Sequence, residues 1–225
     1  MIPYGAMRSN VVVTGMGCVS SLGVGADEFV HRLLAGESGI RPIAAFGTDG
    51  CRSHTAALLR DFDPGRYYDA MKLRRVDEGG RLGLVSTRLA IGDAALPTNT
   101  DEVGIALGTA TSGVHSTVQH LHKLATGGPT AVPAMGFANT IANAAASLCS
   151  IEFGLRGPNV TIAQKQASAL SAIAFAMAGL RQGRAAAFVC GGMDDFEERF
   201  FTVHDRMRVL SPVGGGEEAS RPFDA

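Results

Sequence analysis

The sixteen residues Gly157–Ala172, GPNVTIAQKQASALSA, place the tightest limits on how this chain folds. Asn159 to Ile162 alternate as a short strand does, with Val160 and Ile162 on one face. From Gln166 small and apolar residues take over, and Leu170, Ile173, Met177 and Leu180 recur at helical spacing. Arg181 falls in the last turn and Gly183 supplies the stop. A strand therefore runs almost directly into a buried helix, with Gln164-Lys165-Gln166 at the corner. Such a corner lifts one side chain clear of a sheet and aims it along the positive end of a helix dipole, where enzymes place activated nucleophiles. Here the corner holds an amide, which neither ionises to a nucleophile nor titrates near neutral pH.

Before the corner, Val11-Val12-Val13-Thr14-Gly15 is expected to be a buried first strand. The Gly15-x-Gly17 that follows is no dinucleotide fingerprint, because Ser20 replaces the third Gly and no acid ends a second strand about 20 residues on. Asp27 to Ala35 reads as a helix with Phe29, Val30, Leu33 and Leu34 as its apolar side; Gly36 stops it. Residues 38–63 look irregular and extended. A second long helix spans Val76 to Ala95, and Val103 to Leu107 is a buried strand closed by Gly108-Thr109. The helix from about Ser112 to Lys123 carries His115, His120 and His122. No pair of them has i, i+4 spacing with a carboxylate partner, so they read as a solvated face and no metal is called for. Pro133 to Asn143 is a loop entering a helix that ends near Phe153-Gly154. Ala186 to Gly191 is a further buried strand, after which Asp194, Asp195, Glu197 and Glu198 open a helix whose dipole suits them.

The order β, α, β, α, α, β, α, β, α implies an α/β fold with a mainly parallel sheet and helices on both faces. At 225 residues and 46% hydrophobic, the chain is long enough for one large domain or two small ones. A net charge of −1 gives no reason to expect nucleic acid or an anionic membrane as partner. The apolar runs are too short to span a membrane, and MIPYGAMRSN has no apolar stretch of the kind signal peptides carry. Four Cys without regular spacing speak against disulfides and zinc alike, which makes a reducing cytoplasm the default compartment.

The opening from Val11 through Gly23, Ser38-Gly39-Ile40-Arg41-Pro42-Ile43, Gly154-Leu155-Arg156-Gly157-Pro158-Asn159, the small-residue helix and Cys190-Gly191-Gly192 together resemble the β-ketoacyl synthases of the thiolase superfamily. The resemblance implies a thiolase-like fold of which this chain covers the N-terminal half. Residues 1–225 would be one ketosynthase N-terminal-like domain, with 1–10 a leader and 211–225 a terminal loop and truncation point. In that family the corner reads Thr-Ala-Cys-Ala/Ser-Ser and the Cys carries the acyl chain as a thioester. Aligned on Gly157-Pro158-Asn159 and Ser168, the Cys falls on Gln166, so no catalytic residue is assigned. The family's decarboxylating histidines would lie in the second half.

Two kinds of family member place Gln at this position: a loading decarboxylase, which keeps Thr-Ala before it, and the chain-length factor, whose whole corner has drifted. Gln164 and Lys165 replace Thr-Ala here, so the corner resembles the chain-length-factor class. The resemblance then implies a heterodimer with a Cys-containing ketosynthase, acyl carrier protein reached through that complex, and no cofactor. Asn159, Val160, Thr161, Ile162 and Ala163 would be the edge strand at the dimer axis, where pairing removes an aggregation hazard. Met135 and Phe137, and after them Val114 and Val118, are the candidates for the wall of the shared acyl tunnel. A Gln-type malonyl decarboxylase represented by its first half, and an inactive fragment, are the alternatives.

Overall fold

The computed structural model describes residues 10–96 and 100–212, without the side chain of Met135. Apart from residues 10, 211 and 212, the leader and terminal loop expected from the sequence lie outside the described residues. In chain order the longer elements are α1 (Ala26–Leu34), α2 (Glu78–Asp93), β1 (Val103–Gly108), α3 (Val114–Gly127), α4 (Ala144–Phe153), β2 (Asn159–Ile162), α5 (Ser168–Arg181), β3 (Ala187–Gly192) and α6 (Glu198–Arg206). They divide between two compact units: one holds the chain up to Val19 together with Asp63–Asp195, the other Ser20–Phe62 together with the chain from Phe196.

The first unit is built on a parallel sheet in the order β2-β1-β3, with Ile105 opposite Asn159 and Val189. Every residue of β1 is buried. Parallel strands covered on both faces need continuous apolar runs, which Val103-Gly-Ile-Ala-Leu-Gly108 supplies. On one face α5 lies against Ala106 through Ala172 and Ala176, with Ile162, Phe175 and Phe188 around them. The opposite face takes Ile105 and its alternate neighbours. There α2 and α4 pack together, and Thr87 of α2 donates to the Cys149 thiol of α4 at 3.5 Å. Asp77 caps α2, accepting from the Gly80 N–H at 2.9 Å.

The side of α5 that meets the sheet is its small-residue side. Ser168, Ala172, Ala176 and Gly179 face the sheet, while Leu170 is 72% and Ile173 39% exposed. Small residues let the helix axis come close to the strands, and close approach excludes larger side chains from that side. Gly108 shows how tight the fit is, since a Cβ there would collide with the backbone of Ser168 and Ala169. Gly108→Ala is expected to cost about 3 kcal/mol, because backbone rather than a flexible side chain must yield. Gly191→Ala, whose Cβ would meet nothing within 4 Å, is the matched control. Equal urea midpoints for the two variants would show that α5 is not seated as described.

Two strand expectations are corrected. Residues 11–15 join no ladder, and Val12 and Val13 are 71% and 79% exposed. Gly15 and Gly17 instead lie against the backbone of α2, where their missing side chains let the segment pass, and the valines point away from it. Strand β3 forms as expected but is only half-buried, with Cys190 exposed. The helices read at Asp27–Ala35 and Val76–Ala95 are present with ends shifted by one or two residues, the usual behaviour of helix termini.

In the second unit α1 buries none of its residues fully, and Leu33 and Leu34 of its apolar side are 52% and 83% exposed. The extended segment forms one short antiparallel ladder, Arg41–Pro42 with Thr55–Ala56. Its core is a set of rings absent from the sequence reading: Phe46 stacks on Phe196 at 5.8 Å and meets Phe201 edge-on at 5.6 Å. Asp205 of α6 accepts from the Arg52 and Ser53 N–H groups, and these bonds hold its carboxyl below the usual carboxylate range.

Candidate functional site: a strand-to-helix corner

Strand β2 ends at Ile162, one residue earlier than the expected edge segment; Ala163 is exposed beyond it. Among the described residues β2 pairs on one side only, with β1, so it is a sheet edge. The Thr161 hydroxyl oxygen on this strand is buried and has no hydrogen-bond partner among the described residues.

From Ala163 to Ala167 every residue is exposed. Lys165 adopts φ 52°, a left-handed conformation that costs a residue with a side chain about 1 kcal/mol or more and gathers at functional turns. The 3-10 turn Lys165–Ala167 then feeds α5, whose N-terminus has no side-chain cap. Gln166 thus projects from the turn at the positive end of a fourteen-residue helix.

Ser168 holds this shape. Its hydroxyl accepts from the Gln164 N–H at 2.8 Å and lies 2.6 Å from the Lys165 carbonyl and 3.0 Å from that of Thr109. Gln164 in turn accepts from the Ser171 hydroxyl at 2.5 Å. The corner is therefore tied to the turn after β1. That turn is gathered by Asp194, whose Oδ1 accepts from Thr109 Oγ1 and the Ala110 N–H, both at 2.7 Å. It accepts also from the Thr111 N–H at 2.8 Å and Thr111 Oγ1 at 2.9 Å. The sequence reading put Asp194 and Asp195 at a helix start. The helix begins only at Glu198, capped by Glu197, so that expectation is corrected. The signal that marks the pair was its flanks: Met193 and Phe196 place two acids between apolar side chains.

The candidate tunnel residues come from two neighbouring segments. Val114 and Val118 are half-buried on α3. The stretch 133–143 folds as two short turns, Ala134–Phe137 and Ala138–Thr140, rather than an open loop. The second is tied to α3 by Thr117 Oγ1 on the Thr140 carbonyl at 3.1 Å. Phe137 is 60% exposed, and its ring centroid lies 5.9 Å from that of His120. The Met135 side chain lies outside the described residues.

Two concavities of about 480 and 420 Å³ lie on this unit, one along Asp101, Arg156 and Arg184, the other along Met71, Leu148 and Ile151. Neither includes a residue of the corner, so the corner is not enclosed by either. Burial pushes the Cys149 thiol up to about 11, which removes it as an alternative nucleophile at neutral pH. Among the described residues no cluster of His, Cys, Asp or Glu could hold a metal ion, and no helix is long and apolar enough to cross a membrane.

Residues 8–225 match the family model described as β-ketoacyl synthase, N-terminal domain. The chain is 32% identical over 222 residues to a 3-oxoacyl-(acyl-carrier-protein) synthase 2 of Coxiella burnetii (strain RSA 493 / Nine Mile phase I). That match covers 96% of this chain and 54% of the relative. A synthase of the same name from Vibrio cholerae serotype O1 (strain ATCC 39315 / El Tor Inaba N16961) matches at 32% identity with the same coverage. Among solved structures, the ishigamide ketosynthase/chain length factor superposes with a TM-score of 0.82 at 30% identity, covering 95% of this chain and 53% of that one. A β-ketoacyl synthase from Burkholderia phymatum STM815 shares the fold with a TM-score of 0.81 at 22% identity, over 95% of this chain and 54% of its own. The chain spans about half the length of the relatives it matches. Its thiolase-like α/β fold, with the corner at the end of the edge strand, and the match along nearly its whole length make it a member of the β-ketoacyl synthase family, corresponding to that family's N-terminal domain.

Proposed function

We propose that this chain is a non-condensing, chain-length-factor-like subunit that pairs with a Cys-containing ketosynthase and shapes its acyl tunnel in fatty-acid or polyketide synthesis. One observation carries the reading: an amide, Gln166, stands in the exposed turn between the edge strand and α5, the position on which the family's Cys would fall by the alignment on Gly157-Pro158-Asn159 and Ser168. Condensation needs a nucleophile to hold the growing chain, and an amide cannot serve. The likeness to a ketosynthase/chain length factor structure points the same way. Residues 1–225 would act as one ketosynthase N-terminal-like domain. The edge strand β2 would pair with the partner, and carrier protein would reach the complex through that partner.

In this reading Phe137, with Met135, Val114 and Val118, forms part of the wall that stops the acyl chain. Phe137 is exposed enough to reach a neighbour. Attraction discriminates poorly between chain lengths, since one buried methylene is worth about 0.8 kcal/mol, whereas overlap with a ring stops growth sharply. In a complex co-expressed with an active ketosynthase, Phe137→Ala is expected to leave turnover within about twofold and shift products toward longer chains. Mass spectrometry of the products checks this; an unchanged length distribution removes Phe137 from the wall. The same assay run with malonyl-loaded carrier protein alone separates the decarboxylase alternative, which would release carbon dioxide without condensation.

A further inference from the structure

Asp195 is 6% exposed, and its Oδ1 has no hydrogen-bond partner among the described residues. A lone buried carboxylate is costly, whereas its neutral acid is far less so. The groups facing it come from three elements. Asp77 and Glu78 at the start of α2 raise its pKa, and His115 in the first turn of α3 lowers it; its own backbone N–H also favours the charged form. Met193 packs beside it over Gly79, where a Cβ would lie 3.7 Å from the carboxyl. The start of α2 gives it little help, because Asp77 already takes the Gly80 N–H there and accepts from Ser116 Oγ at 3.1 Å. Burial is the largest influence and pushes the Asp195 carboxyl up to about 6.

This acid is joined directly to the corner. The Asp195 carbonyl lies 3.1 Å from Thr111 Oγ1, whose single hydrogen it shares with Asp194 at 2.9 Å. Asp194 holds Thr109, and the Thr109 carbonyl holds Ser168, which accepts from the Gln164 N–H. A displacement of the backbone at Asp195 is thus felt at Thr111 first and at Gln164 through three further residues, Asp194, Thr109 and Ser168.

We propose that Asp195, set among Asp77, Glu78 and His115, is a proton-operated latch that sets how firmly the turn Thr109–Ser112 and the corner behind it are held. Taking up one proton removes the repulsion from Asp77 and Glu78 and lets the neutral acid stay buried beside Met193. Losing the proton charges a site with no partner for Oδ1, drives the carboxyl toward water and loosens the Thr111 and Asp194 bonds. Because the folded-state pKa lies above the ordinary 3.8, the latch is closed below about pH 4 and released as pH rises through about 6.

Hydrogen exchange of the full chain, alone or in a ketosynthase complex, reads this peptide by peptide. After correction for intrinsic exchange, protection of peptides spanning 108–113 and 163–168 is expected to fall about tenfold between about pH 5 and about pH 7.5. Asp195→Asn should hold the high-protection state across that range. Asp77→Asn should move the midpoint to lower pH, and serves also if Asp195→Asn fails to fold. Carboxyl-carbon NMR of the unmodified protein should give the same midpoint for Asp195. Flat protection across the range, or a pH profile that Asp195→Asn leaves in place, overturns the latch.

Discussion

Given acyl-loaded and malonyl-loaded carrier protein, the purified 225-residue chain is expected to form no ketoacyl product, and Gln166→Cys is expected to form none either. Turnover should lie on the order of a millionfold below a Cys-bearing ketosynthase, the usual scale for deleting a nucleophile. The variant is the more informative half of the experiment. A thiol at this position would stand exposed at the N-terminus of α5, where the dipole favours its thiolate, so it should be alkylated readily by iodoacetamide. Decarboxylation, however, also needs free donors for the enolate oxygen. The Thr161 hydroxyl is unpartnered among the described residues but buried on β2. The other hydroxyls beside the corner are committed: Thr109 to Asp194, Ser168 to the Lys165 and Thr109 carbonyls, Ser171 to Gln164. A reactive thiol without product formation is the predicted outcome. Product from either protein would mean that the corner is not disabled.

The second large effect concerns association, and it rests on the same functional reading. Leu170 and Ile173 stand on the outer side of α5 with Ala174 beside them, and all three are exposed. A contiguous apolar strip on a helix marks a surface that another protein covers. Expressed alone, the chain is expected to self-associate; co-expressed with a ketosynthase, it should elute as a defined complex. Covering the two larger side chains is worth roughly 3–6 kcal/mol together, so Leu170→Glu with Ile173→Glu should weaken co-purification by at least about a hundredfold. Light scattering after size exclusion distinguishes the cases. If the unmodified chain is a monodisperse monomer, or the double variant still binds the ketosynthase, α5 is not the docking helix.

Much of the site was legible because its signals are local. The strand over Asn159–Ile162, the corner at Gln164–Gln166 and the helix after it each follow from a short-range pattern of alternation, small residues and a stop. What periodicity cannot supply is which side of a helix is buried when both sides are apolar. In α5 the Ala and Ser side faces the sheet, and only the close approach at Gly108 and Gly192 explains the preference. Residues 11–15 misled for a related reason. Three valines in a row satisfy a buried strand and a solvent-facing segment equally well until a neighbouring strand is present or absent. Asp194 and Asp195 were hidden by distance, since their partners lie about 80 or more residues earlier in the chain. No window of sequence joins Asp194 to Thr109.

The shape of the corner depends on Lys165 in its left-handed conformation, on the Ser168 hydroxyl and on two carbonyls; the side chain of residue 166 enters into none of these bonds. The scaffold is therefore indifferent to what stands at that position, and chemistry can be withdrawn from the site without charge to the fold. A gene copy that lost its thiol would still yield a polypeptide able to fit every surface its sibling fits. Selection could then act on it for how it measures another molecule's product. In such a lineage the mounting outlives the tool.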